Sequence, residues 1–169
     1  MSSVVNRIHA VAGIDPERMI VCHIGDSVSV TALESGKSVD TSTGFSIATG
    51  LVMGSRGGDI DAAALIEVMR AERLRPTDAE LLITARSGMV GYCDEADFRK
   101  VLARRVAGDT AASIAIDSMV GNIQKAIGAM AASLGGVDMI VFTASAGVRS
   151  SEVRSMVCSK LTHLGVSLS

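Results

Sequence analysis

Tryptophan is absent from the 169 residues, and three Phe and one Tyr leave almost no rings on which bases could stack. Net charge is −2 with no run of five or six like charges, so the electrostatic footprint of a nucleic-acid binder is missing too. The three cysteines, Cys22, Cys93 and Cys158, are scattered. Their spacing fits neither a zinc site nor a disulfide framework, and a reducing cytoplasmic setting is expected. No apolar run is long enough to span a bilayer, and Met1 to Val5 lacks the basic region and apolar core of a signal peptide. These absences predict a soluble protein with no nucleic-acid partner, no membrane partner and no metal cluster of its own.

What is present is apolar. Hydrophobic residues make up 48% against 20% charged, with mean hydropathy +0.39. The length suits one domain, 1–169, with a sizeable core. A surplus of apolar surface implies a covered face, either a homo-oligomer contact or a former domain interface.

Val4, Val5, Ile8 and Val11 share one helix face ending at Gly13. Met19 to Ile24 has strand length, Ser27 to Leu33 alternates with period two, and Lys37 to Thr41 forms a third strand. Gly25-Asp26 and Glu34-Ser35-Gly36 read as the turns of this antiparallel meander. Helices follow, one after Asp59 through Ile60, Ala63, Leu65, Ile66 and Met69, one from a capping box at Thr77 to Glu80, and one through Phe98, Val101, Leu102 and Val106. The longest runs from Asp109 to Gly135-Gly136. Within it Gly121 and Gly128 lie seven apart, which suits either internal packing or a subunit contact. Met139 to Phe142 reads as a strand buried on both faces. A last helix, capped by Ser150 or Ser151, carries Val153, Met156, Val157, Leu161 and Leu164, and Val166 to Ser169 starts another strand. The pattern is α/β.

Backbone N–H groups at the Gly25-Asp26 hairpin can hold an anion, with His23 and Ser27 as further donors, although most such hairpins are merely turns. Arg56 stands among Gly54, Gly57 and Gly58. An Arg fork with glycines around it suits the oxygens of a transferring phosphoryl group, and a solvated surface Arg is the competing reading. Asp59 and Asp61 read either as a metal pair or as a helix cap at Asp59.

Taken in order, these segments resemble the acetate kinase (acetokinase) family of the actin-like ATPases. Val21-Cys22-His23-Ile24-Gly25-Asp26-Ser27 is similar to its phosphate hairpin, and Gly36 to Phe45 resembles the stretch that follows. Met53-Gly54-Ser55-Arg56-Gly57-Gly58-Asp59-Ile60-Asp61 resembles its Arg-bearing loop. Asp97-Phe98-Arg99 is similar to its adenosine-contact tripeptide, and Ser133 to Asp138 leads into its adenosine strand. The resemblance implies an actin-like, ribonuclease H-like fold and phosphoryl transfer between ATP and acetate or another short-chain carboxylate. It implies Arg56 as the catalytic arginine, and His23, Ile24, Gly25, Asp26 and Ser27 at the nucleotide phosphates. Asp97, Phe98 and Arg99, and the loop Ala144, Ser145, Ala146, Gly147 and Val148, fall at the adenosine. ATP or ADP with Mg²⁺ is the implied cofactor and a homodimer the implied assembly.

The chain also departs from the family pattern. Asp26 stands where Asn is usual, Thr143 to Arg149 lacks the Gly-rich run ending Gly-Glu-Asn, and Phe45 to Gly50 lacks the usual Pro and Glu. The family's amino-terminal domain, with the acceptor pocket and a second phosphate loop, lies outside 1–169, as does the Glu associated with Mg²⁺. The resemblance therefore leads to a truncated C-terminal domain, inactive alone or completed by a separate amino-terminal half. A degenerate nucleotide-binding or dimerisation domain is the alternative.

Overall fold

The computed structural model describes residues 2–168, which form two compact units. The first comprises residues up to Gly25, Ser29–Ser42 and everything from Ile123; the second holds Asp26–Val28 and Thr43–Asn122.

In the first unit, β1 (Arg18–Ile24), β2 (Val28–Glu34), β3 (Lys37–Thr41) and β4 (Met139–Thr143) make a mixed sheet in the order β3-β2-β1-β4. β1 and β4 are parallel, with Met19 opposite Met139, and β2 and β3 antiparallel. Ser35 N–H donates to Glu17 C=O at 2.7 Å, which brings the end of β2 to the start of β1. The β2–β3 turn puts Ser35 and Gly36 at φ 46° and 78°, the mirror-image turn whose twist suits a hairpin. The β1–β2 connection takes three residues, Gly25 to Ser27, where two were expected.

Period-two alternation divides β1 between two faces. Met19 and Val21, with Leu33, meet Val4, Val5 and Ile8 of helix α1 (Ser2–Ala12). Ile20, Cys22 and Ile24 point the other way and are equally buried. Burial pushes the Cys22 thiol well above the ordinary cysteine range, with Cys158 near enough to add to the effect, so Cys22 behaves as a small apolar residue. The β1–β4 pairing is pinned at one end by Arg18, whose guanidinium grips Asp138 at 2.6 and 3.2 Å while its N–H donates to the same carboxylate at 2.9 Å.

β4 corrects an expectation. It is half-buried at every position rather than buried on both faces, because it lies at the edge of the sheet.

In the second unit α2 (Ala62–Ala71), α3 (Pro76–Ala85), α4 (Gly88–Cys93) and α5 (Phe98–Val106) lead into α6 (Thr110–Leu134), which continues into the first unit. Arg104 ties three of these together. It donates to Cys93 C=O at 2.7 Å and pairs with Asp109, which in turn caps α6 by accepting from Ala112 N–H at 3.1 Å. The buried stripe of α6 includes Ala115 and Ala126, whereas Ile114 on the same helix is 51% exposed. At its far end Gln124 donates to Met156 and Val157 C=O of α8 (Ser151–Cys158), and Ser133 donates to Asp40 at 2.7 Å.

Other boundaries differ from the sequence reading for local reasons. Asp61, not Asp59, caps α2, because its carboxylate reaches Ala63 and Ala64 N–H while Asp59 accepts from Gly50. α2 buries none of its residues, so its apolar positions stay outside the core. Pro76 is itself the first residue of α3, and Asp78, three beyond the cap residue Arg75, accepts from both its N–H and its guanidinium. The last helix ends at Cys158, and a 3-10 turn, Thr162–Leu164, follows. Gly165 leaves that turn at φ 75°, and Val166 to Leu168 is not strand; Ser169 lies outside the described residues.

Candidate functional site

The first unit brings two of the expected segments together. His23, near the end of β1, has its Nδ1 3.2 Å from the Thr143 hydroxyl at the end of the parallel neighbour β4. Parallel strands place both C-terminal ends on one side, so the residues after each are adjacent. At Gly25 a Cβ would lie 3.0 Å from Ala144 Cβ, with Ser145 Oγ at 3.7 Å and His23 Nε2 at 3.8 Å. Hairpin and loop therefore touch backbone to side chain, and only a glycine fits at 25 without displacement.

Ala144 to Val148 is not a loop. Residues Ala144–Arg149 form a short helix, α7, entered through Thr143 in extended conformation. Ala144 has φ 66°, a left-handed conformation that costs an alanine about 1–2 kcal/mol and a glycine nothing. Gly147 is buried against Ile24 and Phe142, and Arg154 of α8 donates to Gly147 and Val148 C=O at 3.0 and 2.7 Å. Ser145 and Val148 are exposed.

The second unit carries the remaining candidates. Asp97 caps α5, accepting from Arg99 N–H at 2.9 Å, and pairs with the Arg99 guanidinium at 2.9 Å. The Arg99 side chain, followed by its own backbone N–H, lowers the Asp97 pKa to about 2. The same pairing raises Arg99, and Asp26 adds a smaller electrostatic contribution. The carboxylate at the hairpin tip thus has a cation near it. Phe98, between them, is buried. Asp97 N–H donates to Glu95 at 2.9 Å, and Glu95 pairs with Lys100 at 3.3 Å.

Arg56 is half-buried in a loop held by its own backbone. Met53 N–H donates to Arg56 C=O at 3.0 Å, and an Arg56 terminal nitrogen lies 3.6 Å from the Met53 sulfur. Among the described residues no ion pair involves Arg56, leaving its fork available. A Cβ at Gly54 would come 2.8 Å from Ala96 C=O, so this loop abuts the residue preceding Asp97. Among the described residues no three His, Cys, Asp or Glu converge as metal ligands.

Comparison with known proteins decides the family. The chain matches the model of the Acetokinase family over residues 4–169. The chain belongs to the acetokinase family. It is 41% identical over 156 residues to the acetate kinase of Dictyoglomus thermophilum, covering 92% of this chain and 39% of that one. With the acetate kinase of Phocaeicola vulgatus it is 40% identical over 168 residues, 98% of this chain and 42% of the other. The crystal structure of Porphyromonas gingivalis acetate kinase superposes with a TM-score of 0.91 at 34% identity, over 96% of this chain and 42% of that one. The chain therefore spans about two fifths of the length of its acetokinase relatives. Its fold is the actin-like α/β fold of these kinases.

Within this acetokinase fold, two features escaped the sequence reading. Thr143 carries the His23 contact, but a lone Thr ending an apolar run gives no signal. Helix α4, which follows Ser87 and meets the Arg56 loop, is six residues long, too short for a helical period to show.

Proposed function

We propose that the chain is the nucleotide-side part of a carboxylate kinase, taking ATP or ADP with Mg²⁺ and contributing Arg56 to phosphoryl transfer onto a short-chain carboxylate. The observation that carries this reading is the closeness of His23 and Gly25 to residues 143–145, the segments that the resemblance assigns to the phosphates and the adenosine. The site fits the nucleotide in kind, since glycine at 25 keeps the hairpin backbone low and Ser145 Oγ stands beside it. In this reading the resemblance gives His23, Gly25 and the hairpin N–H groups the role of holding phosphate oxygens, and gives Arg56 that of taking charge developing on the transferred group. Asp97 fixes Arg99 through its ion pair, and buried Phe98 anchors that segment rather than stacking on a base. The magnesium ion supplies charge neutralisation at the phosphates, and the nucleotide itself would carry it.

Catalysis rests on positioning and charge stabilisation, and this reading leaves the acceptor pocket outside residues 1–169. The chain alone should then bind Mg·ADP at millimolar concentration and form no acetyl phosphate from ATP and acetate. Calorimetry and a hydroxamate assay test both. Turnover that disappears in Arg56→Ala would overturn the incompleteness, and absence of ADP binding at 10 mM (roughly the weak limit of a usable site) would overturn the nucleotide assignment.

A homodimer through α6 is the proposed assembly. A Cβ added at Gly128 has no atom within 4 Å, and Ile114 is exposed on the same helix, so that surface is open for a second copy.

A further inference from the structure

We propose that Ser87 and Gly88 are positioning residues for Arg56, acting through the backbone of residues 53–57. This rests on the assignment of Arg56 to phosphate chemistry made above, and it adds the elements that hold the arginine in place.

The Arg56 loop has no secondary structure of its own, yet it is bound along its length by the residues that open α4. Ser87 N–H donates to Ser55 C=O at 3.1 Å, Met89 N–H to Met53 C=O at 3.0 Å and Val90 N–H to Gly54 C=O at 2.9 Å. Gly57 N–H donates to Ile83 C=O at 3.2 Å, fastening the far side of the loop to α3. The Ser87 hydroxyl donates to Leu82 C=O at 2.8 Å, which joins the start of α4 to the end of α3. Three consecutive loop carbonyls, 53 to 55, are thus taken by one short segment.

Gly88 sits at the centre of these bonds with φ 61°. A Cβ there would clash with Met53 C=O and lie 2.5 Å from Arg56 C=O and 2.9 Å from Arg56 N. All three are backbone atoms, so no side chain can swing away. The same residues are locked by the amide bonds on either side of Gly88, so the loop must move as a body. Because the Arg56 backbone is the surface on which Gly88 rests, displacement there carries the guanidinium with it. A misplacement of about 1 Å at a charge-stabilising group is enough to lose most of its effect.

Gly57 offers a milder perturbation. A Cβ there would be 3.3 Å from Ser87 Cβ, a contact that a shift of a few tenths of an ångström relieves. Its φ does not lie in the left-handed region, so only the contact with Ser87 is tested.

The test uses the full chain with Gly88→Ala, Gly88→Asn, Gly57→Ala, Arg56→Ala and the double variant Gly88→Ala/Arg56→Ala. Folding is checked by amide spectra, and two quantities are read: the Arg56 Nε–H resonance without ligand and the affinity for Mg·ATP, which carries the phosphoryl group assigned to Arg56. Asn tolerates the left-handed φ but carries the same Cβ, so Gly88→Asn should match Gly88→Ala if crowding is the cause. Positioning predicts that the Arg56 resonance moves in each glycine variant, least in Gly57→Ala. It predicts that Gly88→Ala weakens Mg·ATP binding about as much as Arg56→Ala, about tenfold for a lost charged hydrogen bond, with no further loss in the double variant. An unmoved Arg56 resonance in folded Gly88→Ala, or losses that add in the double variant, would overturn it. If Gly88→Ala does not fold, Gly57→Ala decides, and an unmoved Arg56 resonance there overturns the proposal as well. A parent that binds no ATP while the Arg56 resonance still shifts would sink the nucleotide assignment and leave the positioning intact.

Discussion

The contact between Gly25 and Ala144 allows a double-mutant cycle whose sign depends on the background. In the parent chain Gly25→Ala places a methyl 3.0 Å from Ala144 Cβ, where carbon atoms prefer about 3.5–4.0 Å. Overpacking of this kind costs about 1–3 kcal/mol. Gly25 does not have the positive φ that would penalise alanine, so the loss of unfolded-state freedom returns about 0.4–1 kcal/mol. The net expectation is a destabilisation of about 1 kcal/mol. Ala144→Gly acts oppositely, removing the methyl and the left-handed strain of about 1–2 kcal/mol, less the 0.5–1 kcal/mol entropic penalty of a glycine. In that background the next contacts of Gly25→Ala are Ser145 Oγ and His23 Nε2, at 3.7 and 3.8 Å, both ordinary distances. It should then be neutral or stabilising, giving a coupling of about 1–3 kcal/mol. Urea unfolding followed by circular dichroism measures the cycle, and amide exchange of Val21 and Val141 reads the β1–β4 pair alone. Effects that add to within about 0.5 kcal/mol would refute the contact as the reason for a glycine at 25.

Acid should release the α5 cap. Asp97 is held near pKa 2 by Arg99, below its unfolded value, so its stabilisation is complete above about pH 4 and is lost as pH falls towards 2. A carboxylate titration by NMR should show that low midpoint and a rise in Arg99→Ala; an unchanged midpoint rejects the pair as cause. Asp26→Asn should tighten Mg·ADP about two- to fivefold by removing a carboxylate from the phosphate side, an effect limited by solvent and by nearby Arg99. Weaker binding on calorimetry contradicts the repulsion argument. Gly128→Arg should convert a dimer into a monomer by light scattering without lowering thermal stability, since its Cβ position faces open space. A dimer that survives excludes this face of α6.

The meander and the long helix were legible because each imposes a period on side chains that packing enforces, and β4 because its apolar run has strand length. Val4, Val5 and Ile8 were readable for the same reason, since Met19, Val21 and Leu33 receive them. What the pattern could not carry was position in the sheet. Met139 to Phe142 has the composition of a strand covered on both faces, and composition does not reveal that β4 has a neighbour on one side only. Helix starts failed where two polar residues compete. Asp59 and Asp61 are chemically alike, and only the backbone decides that Asp61 reaches the α2 amides while Asp59 turns to Gly50.

The candidate site shows the same division more sharply. Arg56 and its glycines were visible because Arg among glycines is an unusual local composition, and His23 to Ser27 because a turn between strands has a signature. Neither signal says what supports the residue. His23 depends on Thr143, 120 residues away in sequence, and the Arg56 loop depends on amides at 87, 89 and 90. Backbone amides carry no sequence letter, so a loop organised by them looks the same on the page as a flexible one. Gly88 is the exception, because its φ of 61° and the crowding of Met53 and Arg56 around it make the glycine itself the trace of that hidden support. The glycines of this chain thus fall into two physical kinds. Gly25 and Gly88 mark places where another backbone or methyl comes close, whereas Gly121 and Gly128 have empty space where a Cβ would stand. The first kind shapes the site and the second leaves a helix surface open, a distinction that spacing in the sequence does not express.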